Sequence, residues 1–502
     1  MRPWDKKVRQ SSMVLAFCVA LLLGLLVARK YAALPTWFMW LSGALCLVTI
    51  RRKTQLSMAL LVIFGIGLGL ARGADYMTKL APYSSNTGQK VTVQGRVTVD
   101  AIYAEKGQLS FSISNVDFIE PTEATVPGTM KVKGYGELAI YKGDIVEVTG
   151  KMYKTRGASQ ASISYAKITR VGSYTSFADT VRRSFIAGMQ TALPEPLASF
   201  GLGLLVGQRN TLPAEYSQAL MMVGLTHIVA VSGYNLTILL EATKRIMGGR
   251  SKQLSVAVGF ALMIGFLFLT GASASIVRAS VISTLSLAAW YFGRSVRPMV
   301  LILLAAALTA MFSPIYLWSD IGWYLSFLAF FGILMVAPKI LTLLYAGRQA
   351  PLIIQVAVET LAAEIMTLPL ILYIFGQMSF IGILANVLVV SMIPLAMLTS
   401  LIAGLAGMFV PLVSGLFALP ARFILTYMLD TALFLSRLPN VFKTGVYLSV
   451  WDMALLYGLI GTATYALHRT RKSWFEKISV VKQHATKGAN QDASKAGNKT
   501  EH

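Results

Sequence analysis

Cysteine is nearly absent: two residues in 502, Cys18 and Cys46, both inside apolar runs. Neither is placed to staple a folded domain, so no disulfide is expected. The four histidines, His227, His468, His484 and His502, show no metal-ligand spacing, so no metal is expected. No segment reads Gly-x-x-x-x-Gly-Lys-Ser/Thr, which excludes an internal ATPase of that kind. No cofactor is expected, and no residue set reads as catalytic. Charge is scarce too, at 13% against 55% hydrophobic residues. A soluble core cannot absorb that balance, whereas membrane-spanning helices can.

What charge there is has one dominant sign, 45 Lys and Arg against 22 Asp and Glu, a formal +23. Its position matters more than its size. Lys6, Lys7, Arg9, Arg51 to Lys53, Lys244, Arg245, Arg250, Lys252, Arg294, Arg297, Lys339, Arg348 and the tail from Arg469 fall between or beyond apolar runs. They place those segments in the cytoplasm by the positive-inside rule. Topology accounts for most of the excess, and net charge by itself is weak evidence for a nucleic-acid partner.

The expected fold class is mainly α, a polytopic helical membrane protein with an inserted extracytoplasmic β-rich domain. Residues 1–83 read as N-terminal spans, near Met13 to Ala28, Thr36 to Ile50 and Leu56 to Arg72, the first an uncleaved span rather than a signal peptide. Residues 84–172 change to period-two stretches such as Lys90 to Val99 and Leu109 to Val116, with turns expected at Gly107, Pro127-Gly128, Gly134 and Lys142-Gly143-Asp144. About five strands in so short a stretch predict a small barrel of the OB kind. Tyr103, Phe111, Tyr135, Tyr141 and Tyr153 are candidates for base stacking or for packing. Lys131, Lys133, Lys151, Lys154 and Arg156 are candidate DNA-backbone contacts.

Residues 173–226 read as interfacial amphipathic helices, with Phe177, Val181, Phe185 and Met189 at helical spacing beside Asp179, Arg182 and Arg183. Residues 227–468 are nearly continuous apolar runs, among them Ile321 to Val336, Leu352 to Phe375, Phe380 to Met392 and Leu416 to Leu435. Residues 469–502 form a basic, polar, cytoplasmic tail. Both termini are expected inside.

Four polar interruptions of the apolar sequence stand out, because polar groups in hydrocarbon are costly. Gly224 to Leu239 holds His227, Ser232, Gly233 and Asn235, either gluing helices or lining a cavity at a broken helix. Leu269 to Ser280 brings Arg278, which either snorkels to the interface or meets phosphate. Asp320 to Leu334 places Asp320, a possible helix cap, and Ser326. Ala363 to Leu395 strings Glu364, Pro369, Gln377, Asn386 and Pro394 together.

In this order, Gly-Leu-x-His-x-x-Ala-x-Ser-Gly, then Thr-Gly followed by Arg-Ala, then Asp-x-Gly-aromatic-x-Leu-Ser-Phe, then Leu-Pro with a later Ala-Asn, the segments resemble the ComEC family of DNA-uptake channels. The resemblance covers roughly Met58 to Leu467. The family commonly continues Ser-Gly-Leu-His-Val where this chain has Ser232-Gly233-Tyr234-Asn235-Leu236, which puts a second histidine's role in doubt. Long members append a metallo-β-lactamase-like domain, and the sequence past Leu467 does not carry its residues.

The resemblance implies a channel in the bacterial cytoplasmic membrane for single-stranded DNA during natural transformation. It implies a separate DNA receptor and a separate translocation motor, and any strand degradation would have to come from another protein; whether a separate nuclease exists and whether the chain forms a homo-oligomer stay open. His227, Ser232, Gly233, Asn235, Arg278, Asp320, Ser326, Glu364 and Asn386 are then the candidate path residues. The competing reading is a polytopic transporter or lipid-handling protein that shares only the architecture.

Overall fold

The computed structural model describes residues 7–466 apart from 31–34, 52–53, 105–107, 122, 136–138, 156, 158, 174–176, 209–210, 230–235, 237–250, 271–273, 294–296, 346–347 and 349. The chain divides into two compact units, Met1–Phe327 with Leu388–Pro439, and Leu328–Val387 with the residues from Asn440. Among the described residues six helices are long and apolar enough to cross a membrane, or seven if the pair Gly382–Val390 and Ile393–Phe409 counts as one broken span. The protein is thus a mainly helical multi-pass membrane protein, as its composition predicts.

In the first unit, α1 (Gln10–Ala28), α2 (Thr36–Arg51) and α3 (Gln55–Ser85) pack together. α3 starts on a capping box in which the Thr54 hydroxyl and Ser57 satisfy each other's backbone N–H groups. Gly24 of α1 and Gly69 of α3 face each other so closely that neither site has room for a Cβ. Small residues at such a crossing let backbones approach where lipid supplies no hydrophobic force between helices. α3 continues well past Arg72, where the apolar run was expected to end. Asp75, paired with Arg72 at 2.9 Å and Lys79 at 3.0 Å, carries the helix on through its polar part.

Strands β1 (Lys90–Val97), β2 (Ile102–Ala104), β3 (Gln108–Glu120), β4 (Ala124–Tyr135), β5 (Asp144–Lys154) and β6 (Ala161–Ser173) follow. β1 pairs with β5, β5 with β6, β6 with β4, β4 with β3 and β3 back with β1, so the sheet closes. Only β4–β6 is parallel. β2 prolongs the β1 side of β3. This is the five-strand OB-like barrel expected between the third span and the later helices. Alternation builds it: Leu109, Phe111 and Ile113 on β3, Met130 and Val132 on β4, and Val146, Val148 and Met152 on β5 all turn inward. Each such side chain contributes about 1.5–3 kcal/mol on burial. Phe111 therefore belongs to the core and has no free face for a base.

β6 breaks the alternation, as β3 does at Ser114 and Asn115. Ile163 and Ala166 of β6 are buried, and both Ser164 and Tyr165 between them turn out. Register shifts against β4 and β5 mark a bulge there, and Tyr165 takes the left-handed conformation at φ 54°.

After the barrel come α4 (Phe177–Ala192), α5 (Leu197–Val206), α6 (Ala214–Met222) and the turn α7 (Thr226–Val229). Every residue of α5 is buried. α4 lays Phe185, Gly188 and Met189 against the later helix Ile393–Phe409, with Gly188 and Gly407 in backbone contact. The unit continues through α8 (Lys252–Thr270), α9 (Ala274–Tyr291), α10 (Pro298–Phe312), α11 (Ile315–Ser319) and the start of α12 (Ile321–Phe331).

The second unit holds a π turn at Gly332–Val336, α13 (Ala337–Tyr345) and α14 (Leu352–Phe375). Gly332 sits against the backbone of Ala362, a contact a side chain would prevent. The span expected over Phe380 to Met392 is a shorter helix, Gly382–Val390, and just before it Gln377–Ser379 pairs with Phe442–Thr444 as a two-stranded ribbon. Gly376, at φ 61°, makes the turn into that ribbon.

Candidate functional site

Three polar constellations hold most of the residues singled out in the sequence. In the first, Arg278 projects from α9, a residue only 3% exposed. One guanidinium nitrogen, Nη2, donates to the Gly322 carbonyl at 3.1 Å and to the Ser326 hydroxyl at 3.1 Å. Nη1 stands 3.5 Å from Asp320 Oδ2, an ion pair rather than a tight hydrogen bond. Asp320 Oδ1 meanwhile accepts from Gly322 N at 2.9 Å, so the carboxylate also caps the start of α12. The second and third sequence motifs thus meet on one side chain. Arg278 does not snorkel; it is turned into protein, and its Nε is buried without a partner.

In the second unit, Asn386 Nδ2 donates to Glu364 Oε1 at 2.9 Å, joining two residues of the fourth motif across the turn between their helices. Asn386 is 2% exposed and its Oδ1 has no partner. Gly382 stands beside the same carboxylate. Of the first motif, His227 lies in α7 with Nδ1 3.1 Å from the Gly224 carbonyl. Ser232, Gly233 and Asn235 lie outside the described residues, as does Arg156.

The barrel carries the third constellation. Lys131, Lys133 and Tyr135 share the outer face of β4, and Lys151 and Tyr153 that of β5. Both strands flank β6, where Lys131 is opposite Ser162 and Lys151 opposite Ser164. Three of the expected lysines are therefore brought to one curved face, and Lys154 is exposed at its end. Tyr135 and Tyr165 stack with centroids 6.1 Å apart and planes 28° apart. They line an open depression of about 400 Å³ with Lys133, Gln108 and Ser164. The side chain of Tyr103 lies outside the description.

The opposite end of β5 meets α4 through a cluster the sequence did not reveal. Asp179 of α4 pairs with Arg96 of β1 at 3.1 Å and faces Lys142 Nζ at 4.0 Å. Arg183 donates to the Lys142 carbonyl at 3.0 Å and covers the Tyr141 ring. Burial, reinforced by Arg182, lowers the Lys142 pKa from its ordinary value, and burial lowers that of Arg182. Among the described residues no group of His, Cys, Asp or Glu could hold a metal ion.

These features define a class: a multi-pass membrane protein that buries charged and amide side chains among its helices and carries an OB-like barrel with a basic, aromatic face. The competence protein family matches residues 204–470, more than half of the chain, and the chain belongs to that family. ComE operon protein 3 of Bacillus subtilis (strain 168) is 26% identical over 291 residues, covering 57% of this chain and 34% of that protein. The aligned part is thus about a third of that curated relative. No solved structure matches the chain.

Proposed function

We propose that this chain is the cytoplasmic-membrane channel through which one DNA strand enters a bacterium during natural transformation, with the barrel outside and both termini inside. The match of residues 204–470 to the competence protein family carries this reading. Arg278, Glu364 and Asn386 of the matched region are turned into protein rather than lipid, which supports a polar interior. His227, Ser232, Gly233, Asn235, Arg278, Asp320, Ser326, Glu364 and Asn386 border that path. Lys131, Lys133, Lys151, Lys154 and Arg156 guide the strand's phosphates toward it. A separate receptor and motor supply capture and force.

The test is uptake of labelled DNA in cells lacking the chain and complemented with His227→Ala or Asn235→Ala at normal abundance. Duplex still binds the cell surface, and label does not reach the cytoplasm. Wild-type uptake in both variants removes this segment from the path. A reporter cysteine at Tyr153, in a chain without Cys18 and Cys46, is expected to react with an impermeant maleimide on intact cells. Reaction only after permeabilisation reverses the orientation.

A further inference from the structure

We propose that Tyr165, with Tyr135 beside it, is a base-stacking platform that binds unpaired nucleobases and so makes the barrel selective for single-stranded over duplex DNA. This deepens the transport reading, on which the identity of the polymer rests.

Tyr165 is 79% exposed, on a strand whose alternation would have buried it. The bulge turns it outward, and the cost of a left-handed conformation falls on a residue with a Cβ and a large ring. Tyrosine in that conformation gains nothing from packing into the core, which is filled without it. Among the described residues its one ring contact is Tyr135, 53% exposed, whose plane is nearly parallel to its own. The outer face of Tyr165 is left open to a second flat group. Every base offers such a face when unpaired, and a duplex conceals it between neighbouring pairs.

The surroundings fit the rest of a nucleotide. Lys133 lines the same depression, and Lys131 and Lys151 stand on the strands to either side of β6. Cations placed beside an aromatic face take the phosphates while the ring takes the base. Gln108, Ser110 and Ser164 supply polar edges within the depression. Only the platform and the lysines recur for every base, so binding should be indifferent to sequence.

The test uses the full chain in lipid nanodiscs and a fluorescent thymidine oligonucleotide. Tyr165→Gly is the informative variant, because glycine adopts the left-handed conformation freely and the bulge survives. Single-strand affinity is expected to fall about fivefold to a hundredfold, while affinity for a duplex of equal length is unchanged. Lys133→Gln is expected to reduce the slope of log affinity against log salt by about 0.7. Ultraviolet crosslinking of a bromodeoxyuridine oligonucleotide should place the adduct on the peptide that contains Tyr165.

Wild-type single-strand affinity in Tyr165→Gly, or equal loss for single strand and duplex, overturns the platform. So does failure of the unaltered chain to bind the oligonucleotide. The two readings fail separately. Tyr165-dependent binding in a protein whose deletion leaves uptake intact keeps the platform and removes the channel. Abolished uptake on deletion with Tyr165-independent binding does the reverse.

Discussion

In the barrel, Val93, Ile113, Met130 and Ile163 are sealed inside while Lys131, Lys133 and Lys151 stand outside. Among the helices of the same unit, Arg278 and Thr309 are sealed inside while Phe268, Phe312 and Phe423 stand outside. One chain thus uses burial in two senses. Water drives the barrel's apolar groups together. Hydrocarbon gives the helices no such drive and instead penalises any polar group left facing it, so polar groups find one another.

If that inversion is real, the largest effect comes from emptying a polar centre in the helices. Arg278→Leu leaves Asp320 without its cation and Gly322 and Ser326 without a donor, at a cost of about 3–5 kcal/mol. A sharp fall in melting temperature of the detergent-solubilised protein, with lower abundance, is expected. Arg278→Lys keeps charge without the planar fork and should fall between. A wild-type melting curve for Arg278→Leu would break the comparison.

Next in size is the barrel's apolar interior, where Met130→Ala should cost about 2–5 kcal/mol, read as early loss of protease resistance at the barrel. Asp179→Asn strips the carboxylate from Arg96 and Lys142. Because Arg96 is partly exposed, about 1–3 kcal/mol is expected, seen as faster hydrogen exchange where β1 meets α4. Phe423→Ala, on the exposed side of its helix, should change stability by no more than about 0.5 kcal/mol; a loss as large as Met130→Ala would mean that this face packs on protein.

The smallest effect is a pH slope. Burial disfavours the charged form of Lys142 in the folded state, so the unfolded chain binds more protons between the lowered pKa and the ordinary one near 10.4. Stability of the barrel-to-helix contact should rise with pH through that window. The difference between wild type and Lys142→Met isolates the slope, and an identical pH profile for both would remove it.

Sequence and structure agree where a single periodicity decides. The strands of the barrel were legible because one face of each is apolar, and the same parity explains why Phe111 proved to be core. Tyr165 was hidden by that rule, since its parity with Ile163 predicts an inward ring and only the bulge reverses it. The end of α3 was missed because hydropathy reports lipid, whereas Asp75, Arg72 and Lys79 sustain a helix in water. Arg278, Asp320 and Ser326 were each visible as polar interruptions. Their meeting was not, because nothing in local sequence encodes a contact across more than forty residues. The same holds for Arg96 and Asp179, farther apart still.

The attachment of the barrel has a mechanical consequence. The 31 residues of α3 are about 47 Å long at 1.5 Å per residue, and some 30 Å of that suffices to cross hydrocarbon. The remaining length is a mast of roughly 17 Å. The chain enters the barrel from it at Lys90, opposite Lys151, and leaves at Ser173, opposite Asp144, so its two moorings lie at the two ends of β5. A body held at one point swings in every direction, and one held at two keeps a single axis of rotation. The Asp179 pairs with Arg96 and Lys142 brace the mooring at the Asp144 end, which ties the barrel to the helix that follows it as well as to the strand it leaves by.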